Sequence, residues 1–268
     1  MTEERSATDM VLYKEKGKIA YITFNRPEKL NAMTMPCLKR ILELIRQVDA
    51  DPKIKVLVIN SEGRLFSAGY DLSIFKMPMG PNDLDNFLDV AATITKTLRM
   101  LKKPVIAEIQ GSAIGFGCIA AFAADFRFVA NKENLFFHLP ELGIGIFPAS
   151  GPTTLPLILL GGTHAKEMLL GDKRVYVPKM DKWGAITEIC EPDDLKKQVK
   201  KFARSLAEKD STLLFSTKTA LTIMEKRFVE DCYQMERDLA GNWVKNIETK
   251  DTSGLDSLLK SMWEKYGK

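Results

Sequence analysis

Lys103-Pro104-Val105-Ile106-Ala107-Glu108-Ile109-Gln110-Gly111-Ser112-Ala113-Ile114-Gly115-Phe116-Gly117-Cys118-Ile119-Ala120-Ala121-Phe122-Ala123-Ala124 is the stretch that decides the fold class. Residues 104–109 make a run of strand length that is apolar except at Glu108, as expected of a strand buried on both faces. Residues 111–117 then form a glycine-rich loop, and 118–124 a very apolar helix. A further strand is expected at 126–130. The same order occurs upstream, where the apolar run 54–59 precedes a glycine-containing loop at 66–72 and a helix at about 84–101. Strands alternating with helices predict an α/β protein with right-handed crossovers.

Further out, residues 11–13 and 19–24 flank a polar turn at Gly17 and read as a hairpin. Leu38, Ile41, Leu42, Ile45 and Val48 fall at helical spacing, with Thr34 as the expected N-cap. Met77-Pro78-Met79-Gly80-Pro81 reads as a mobile segment. From about residue 193 the strand pattern stops, and helices are expected at 193–208, 211–227, 229–246 and 253–266. Residues 1–200 are therefore expected to form the core, and 201–268 a helical segment that packs across subunits.

Composition narrows the function classes. The chain has 268 residues, 45% of them hydrophobic and 28% charged, which is ordinary for a globular protein. Its net charge of +4 is small and spread along the chain, so nucleic acid is not the expected partner, whereas a phosphorylated ligand is compatible. No apolar run approaches the ~20 residues of a membrane span, and the N-terminus lacks the apolar segment of a secretory signal. Cys37, Cys118, Cys190 and Cys232 form no CxxC pair, and His138 and His164 are the only histidines. Reduced core thiols, no metal site and a cytoplasmic location are expected.

Two loops carry most of the chemistry: Phe66-Ser67-Ala68-Gly69-Tyr70-Asp71-Leu72 and Gly111-Ser112-Ala113-Ile114-Gly115-Phe116-Gly117. The second opens a helix, whose N-terminal N–H groups carry roughly half a positive charge. Facing each other, such loops would offer two backbone donors to one oxygen, an oxyanion hole. The same glycines also suit plain strand-to-helix turns, and spacing alone leaves both readings open. Gly-x-x-x-Gly-x-Gly is not the dinucleotide fingerprint.

Four motifs occur in order: Asn25-Arg26-Pro27-Glu28-Lys29-Leu30-Asn31-Ala32-Met33, the loop 66–72, Lys103-Pro104-Val105-Ile106-Ala107, and Leu139-Pro140-Glu141-Leu142-Gly143. From about residue 10 to the end, this succession resembles the enoyl-CoA hydratase/isomerase (crotonase) family. The resemblance implies a spiral of ββα turns, a helical C-terminal trimerisation segment, and homotrimers or dimers of trimers. It also implies acyl-CoA substrates, with coenzyme A arriving as part of the substrate and no separate cofactor. The implied oxyanion donors are the backbone N–H groups of Tyr70 and Phe116. The implied coenzyme A contacts are Lys29, Ala32, Ala68, Gly69, Tyr70, Asp71, Leu72 and Gly115, with Asp71 ordering its loop rather than acting as a base. Phe116 stands where relatives commonly have glycine, and its bulk is expected to narrow the pocket or tilt the peptide.

The acid/base residues set the expected reaction. Hydratases of the family use two glutamates; here the first position is Ile119 and the second is Glu141. Syn hydration needs a carboxylate pair around one water, whereas one base suffices to move a proton from C2 to C4 of a 3-enoyl thioester. Δ3–Δ2 isomerisation is therefore the expected activity. Hydration, decarboxylation or hydrolysis on the same scaffold, and a non-catalytic coenzyme A-binding subunit, are the alternatives. His138 could orient a water or simply pack. Ser150 is expected to cap the next helix, and Glu108 to be paired at a subunit contact or to lie near the site.

Overall fold

The computed structural model describes residues 6–71 and 81–244. A short helix α1 (Ala7–Met10) leads into an antiparallel hairpin, β1 (Val11–Lys16) and β2 (Ile19–Phe24). Helix α2 (Met35–Ala50) returns the chain so that β3 (Val56–Ser61) pairs parallel with β2. Helix α3 (Pro81–Met100), β4 (Val105–Ile109), β5 (Ala113–Ile114), α4 (Phe116–Ala123) and β6 (Phe126–Ala130) repeat the strand-and-helix order. β7 (Phe136–His138), α5 (Thr154–Leu169), β8 (Val175–Tyr176), α6 (Val177–Lys182) and β9 (Glu188–Cys190) follow, and then α7 (Leu195–Ala207) and α8 (Ser211–Val244).

Six strands form one sheet in the order β1-β2-β3-β4-β6-β9, parallel except for the β1 hairpin edge. A second sheet, β5-β7-β8, pairs β5 with β7 parallel and β7 with β8 antiparallel. The second sheet was not expected from sequence: its β5 lies inside the glycine-rich loop, which is thereby pinned to β7.

Val56, Leu57, Val58 and Ile59 of β3 and all of β4 are buried, as a strand covered on both faces requires. Glu108 is buried too. Thr23 and Asn60 are partners in the register of β2 and β3, and Glu108 follows Ala107, the β4 partner of Ile59. Thr23 Oγ1 donates to Asn60 Oδ1 at 2.6 Å, and Glu108 is hydrogen-bonded to Asn60 with the Lys196 charge of α7 nearby. Glu108 is thus satisfied within its own chain, beneath α7. Burial still pushes its carboxyl above the usual range.

Buried cations tie helix ends to the sheet. Lys103, 1% exposed, donates through Nζ to Val48 O (2.5 Å) and Asp51 O (2.6 Å) at the end of α2. This places a positive charge on carbonyls that lack helical partners. Lys218 of α8 reaches Asp125 Oδ2 (2.6 Å) and Lys103 O (2.9 Å). Arg99 of α3 forms a two-pronged pair with Glu225 of α8, at 2.8 and 2.7 Å.

Helix α8 is continuous where two helices were expected, because Met224-Glu225-Lys226-Arg227-Phe228-Val229 contains no Gly or Pro to break it. Val229, Tyr233, Glu236 and Ala240 are buried, whereas Leu213, Leu221, Ile223, Met224 and Met235 are exposed. Residue 200 falls within α7, whose Val199 and Ala203 are fully buried. Thr34 occupies the N-cap position of α2, but its hydroxyl bonds Cys37 Sγ rather than a backbone N–H. Ser150 does not cap α5; its hydroxyl donates to Leu88 O at 3.0 Å, and Thr153 holds the cap position. The acceptor at that helix start is Glu236 of α8, which receives Gly151 N–H (2.7 Å) and the N–H groups of Thr153 and Thr154 (both 3.0 Å). The expected helix at 253–266 and the segment Met77–Gly80 lie outside the described residues. No helix among the described residues is long and apolar enough to cross a membrane.

Candidate active site

The two glycine-bearing loops emerge at the C-terminal ends of β3 and β4 and meet. The first is fastened by the Asn25–Met33 motif. Asn31, 1% exposed, takes a left-handed φ of 55° and donates through Nδ2 to Glu62 O (2.7 Å) and Leu65 O (2.9 Å). Its Oδ1 accepts from Arg26 N, and its carbonyl accepts from Ser67 Oγ, both at 2.8 Å. Arg26 Nη1 contacts Asp71 Oδ2 at 2.5 Å, which ties the end of the loop to the Asn25–Met33 motif. Ala68 N–H donates to Leu30 O at 2.9 Å, which brings Ala68 to the 29–32 segment, where Lys29 is exposed and Ala32, like Ala68, is half-buried.

Met33 N–H bonds Gly69 O (2.8 Å) and Asp71 N–H bonds Met33 O (2.9 Å). In extended backbone successive N–H groups point to opposite sides, so Tyr70 N–H is aimed away from Met33. Gly69 has φ +91°, and a Cβ there would stand 2.9 Å from Ile114 O and 3.3 Å from Phe116 N. The backbone of the first loop therefore lies directly on the second. Gly115, φ +51°, donates its N–H to His138 O at 2.9 Å and hands the chain to α4 at Phe116. Among the described residues, no backbone carbonyl accepts from Tyr70 N–H or Phe116 N–H. The Phe116 ring turns inward, 2% exposed, and stacks on Tyr70 with 5.3 Å between centroids. Phe87 of α3 meets the other side of Tyr70 edge-on at 4.7 Å.

Glu141 opens the turn after Pro140, held by Ile144 N–H to Pro140 O (3.1 Å) and Ile146 N–H to Glu141 O (2.8 Å). Its Oε1 lies 3.9 Å from the position a Cβ on Gly115 would take. Its Oε2 is buried without a hydrogen-bond partner. Burial, with the charges of Asp172 and Glu236 adding, pushes the carboxyl up to about 7. Ile119 is 1% exposed, and its Cγ2 would sit 3.1 Å from a Cβ on Gly151, so this position is apolar and closed. His138 is 5% exposed and bonds Asp172 through Nε2 at 2.8 Å, a partner that no motif signalled.

Of the residues read from sequence, Glu141, Tyr70, Phe116, Gly69 and Gly115 converge; Lys29, Ala32, Ala68 and Asp71 line the same loops. Leu72 lies outside the described residues. No group of three or more His, Cys, Asp or Glu among the described residues is arranged to hold a metal ion.

Parallel strands that deliver glycine turns at their C-terminal ends, with one buried carboxylate beside the turns, define an α/β protein of the crotonase-like class. A family model described as enoyl-CoA hydratase/isomerase matches residues 14–264, and the chain belongs to that family. It is 28% identical to a crotonyl-CoA hydratase of Syntrophomonas wolfei over 88% of this chain and 90% of that one. It is likewise 28% identical to a trans-2-decenoyl-(acyl-carrier-protein) isomerase of Streptococcus mutans, over 70% of this chain and 72% of that one. A solved enoyl-CoA hydratase/isomerase from Xanthobacter autotrophicus superposes with a TM-score of 0.81 at 25% identity, covering 96% of this chain and 94% of the other.

Proposed function

We propose that the protein moves the double bond of a 3-enoyl-CoA thioester to the 2 position. In this reading Glu141 takes a proton from C2, and the electrons pass into a dienolate whose oxygen is held by Tyr70 N–H and Phe116 N–H. The same carboxyl group returns the proton at C4, leaving the 2-enoyl thioester, so no water or redox partner is consumed. The observation that carries the reading is the pairing of a near-neutral Glu141 carboxyl, whose Oε2 is buried without a hydrogen-bond partner, with a sealed, apolar Ile119. One proton carrier suffices for a shuttle and is too few for syn hydration. Coenzyme A would lie along Lys29, Ala32, Ala68 and Gly69. The outward apolar side chains of α8 support assembly of the 201–268 segment into homotrimers or dimers of trimers, which solution mass would test.

Relatives named as hydratases favour a second reading, hydration of the 2-enoyl thioester. A panel of 2-enoyl, 3-enoyl and malonyl thioesters separates these activities. Glu141→Gln is expected to lower the 3-enoyl to 2-enoyl rate by about 10³-fold while coenzyme A affinity is retained. Undiminished turnover in that variant refutes the assignment. No turnover by the wild-type protein on any thioester, with coenzyme A affinity retained, marks it as a binding subunit.

A further inference from the structure

We propose that Asp172 and His138 form a positioning unit that holds the Glu141 turn and the Gly115–Phe116 turn together and keeps a negative charge behind the proton carrier. The inference rests on the reading of Glu141 as the base. Asp172 follows the end of α5 with φ +47°, a left-handed conformation uncommon among non-glycine residues, though aspartate tolerates it better than most. Its Oδ2 occupies the space that a Cβ on Gly143 would need, so the carboxylate rests on the Glu141 turn itself. Its Oδ1 accepts from His138 Nε2 at 2.8 Å. The carbonyl of that same histidine accepts Gly115 N–H at 2.9 Å, immediately before Phe116. One side chain thus touches the turn that carries the base, and through His138 it steadies the turn that offers the second backbone donor.

The charges around the pair have definite signs. Burial pushes His138 below its ordinary value; the hydrogen bonds and charge of Asp172 oppose this without reversing it, and Arg174, whose guanidinium sits over the Phe136 ring at 5.1 Å, adds to the lowering. A neutral imidazole donating from Nε2 leaves the Asp172 charge uncancelled at neutral pH. That charge raises Glu141, as does Glu236 from α8. The Cys118 thiol of α4 and the Tyr70 hydroxyl, also facing Glu141, are themselves pushed up and stay neutral. Asp172 therefore increases the proton affinity of Glu141, which suits a group that must both take and return a proton on carbon. Neither Asp172 nor His138 need touch the substrate.

The test is the pH dependence of kcat/KM for the 3-enoyl thioester in the full-length protein. Asp172→Asn keeps an oxygen for His138 and removes the charge. It should move the acidic limb to lower pH by about half a unit or more and reduce the plateau kcat about two- to fivefold, with KM unchanged. Asp172→Gly accepts the left-handed backbone without strain and provides a second, readily folded variant with the same limb shift. His138→Gln keeps a donor for Asp172 and should leave the limb in place. A limb at the wild-type pH in both Asp172 variants overturns the proposal, whatever happens to kcat, because a merely structural defect would lower the rate without moving the titration. A wild-type profile with no acidic limb, or one that Glu141→Gln leaves intact, instead removes the Glu141 assignment on which the inference rests.

Discussion

Replacing Gly69 with alanine perturbs the contact on which the proposed oxyanion site depends. The new methyl would lie 2.9 Å from Ile114 O, 3.3 Å from Phe116 N and 3.4 Å from Gly115 Cα, all of them backbone atoms. Ordinary contact begins near 3.4 Å, so the loops must part by about half an ångström. Backbone on both sides cannot swing away as a flexible side chain would. A φ of +91° adds strain of about 1–3 kcal/mol for a residue with a Cβ, and overpacking adds about 1–3 kcal/mol. A donor displaced this far loses much of its hold on a developing oxyanion, which is about 3–4 kcal/mol or 10²–10³-fold in kcat. The assays are absorbance of the conjugated thioester product and denaturant unfolding. Gly184→Ala is the control, because its φ is +74° but a Cβ there meets nothing within 4 Å. That variant should lose about 1 kcal/mol of stability and none of its turnover. A folded Gly69→Ala protein with kcat within about threefold of wild type refutes the placement of the oxyanion at these two loops.

Glu141 should also destabilise the fold in a pH-dependent way. Its carboxyl rises from 4.5 to about 7 in the folded chain, so stability is lost as pH increases through that window. Glu141→Gln should therefore be more stable than wild type at pH 8 by up to about 3 kcal/mol, and no more stable at pH 4; equal unfolding midpoints at pH 8 would contradict this. Asn31→Ala removes the side-chain partner of Glu62 O and of Arg26 N–H and one of the donors to Leu65 O, and should cost about 1–3 kcal/mol, with activity falling because the 66–71 loop loses its anchor. A loss below ~1 kcal/mol in urea unfolding would show that the anchor is redundant. Glu236→Ala leaves Gly151, Thr153 and Thr154 N–H groups without their acceptor. It should cost about 3–5 kcal/mol, with Glu236→Gln recovering part of it; full stability in the alanine variant would mean that water replaces the carboxylate.

How far the sequence could be read depended on the distance over which each signal acts. β6 falls at 126–130 as expected, and β4 within a residue of its expected start, because mainly apolar runs of strand length record local burial even when one charged residue interrupts them. The segments that bring Glu141, Tyr70 and Phe116 together were legible because each is a short stretch marked by Gly or Pro; the roles assigned to these three residues are the proposal made above. The Glu236 acceptor was not, since its donors lie 82–85 residues away and neither segment alone implies the other. Ser150 illustrates the converse: a serine ahead of a helix suggests a local cap, but the chain delivers a better acceptor from α8 and leaves Ser150 for Leu88 O. The Asp172–His138 contact spans 34 residues and depends on a left-handed backbone at Asp172 that composition does not signal. Glu108 looked anomalous in one dimension because Asn60, its satisfying neighbour, belongs to a different strand.

Lys103 gives the molecule an internal clock. Its ammonium is sealed under the end of α2 and bonded to two carbonyls, so an amine-reactive acylating reagent reaches it only when the sheet and that helix separate. Exposed lysines such as Lys16 and Lys200 would be labelled in the native state. The rate at which a Lys103 peptide acquires label therefore reports opening of the core.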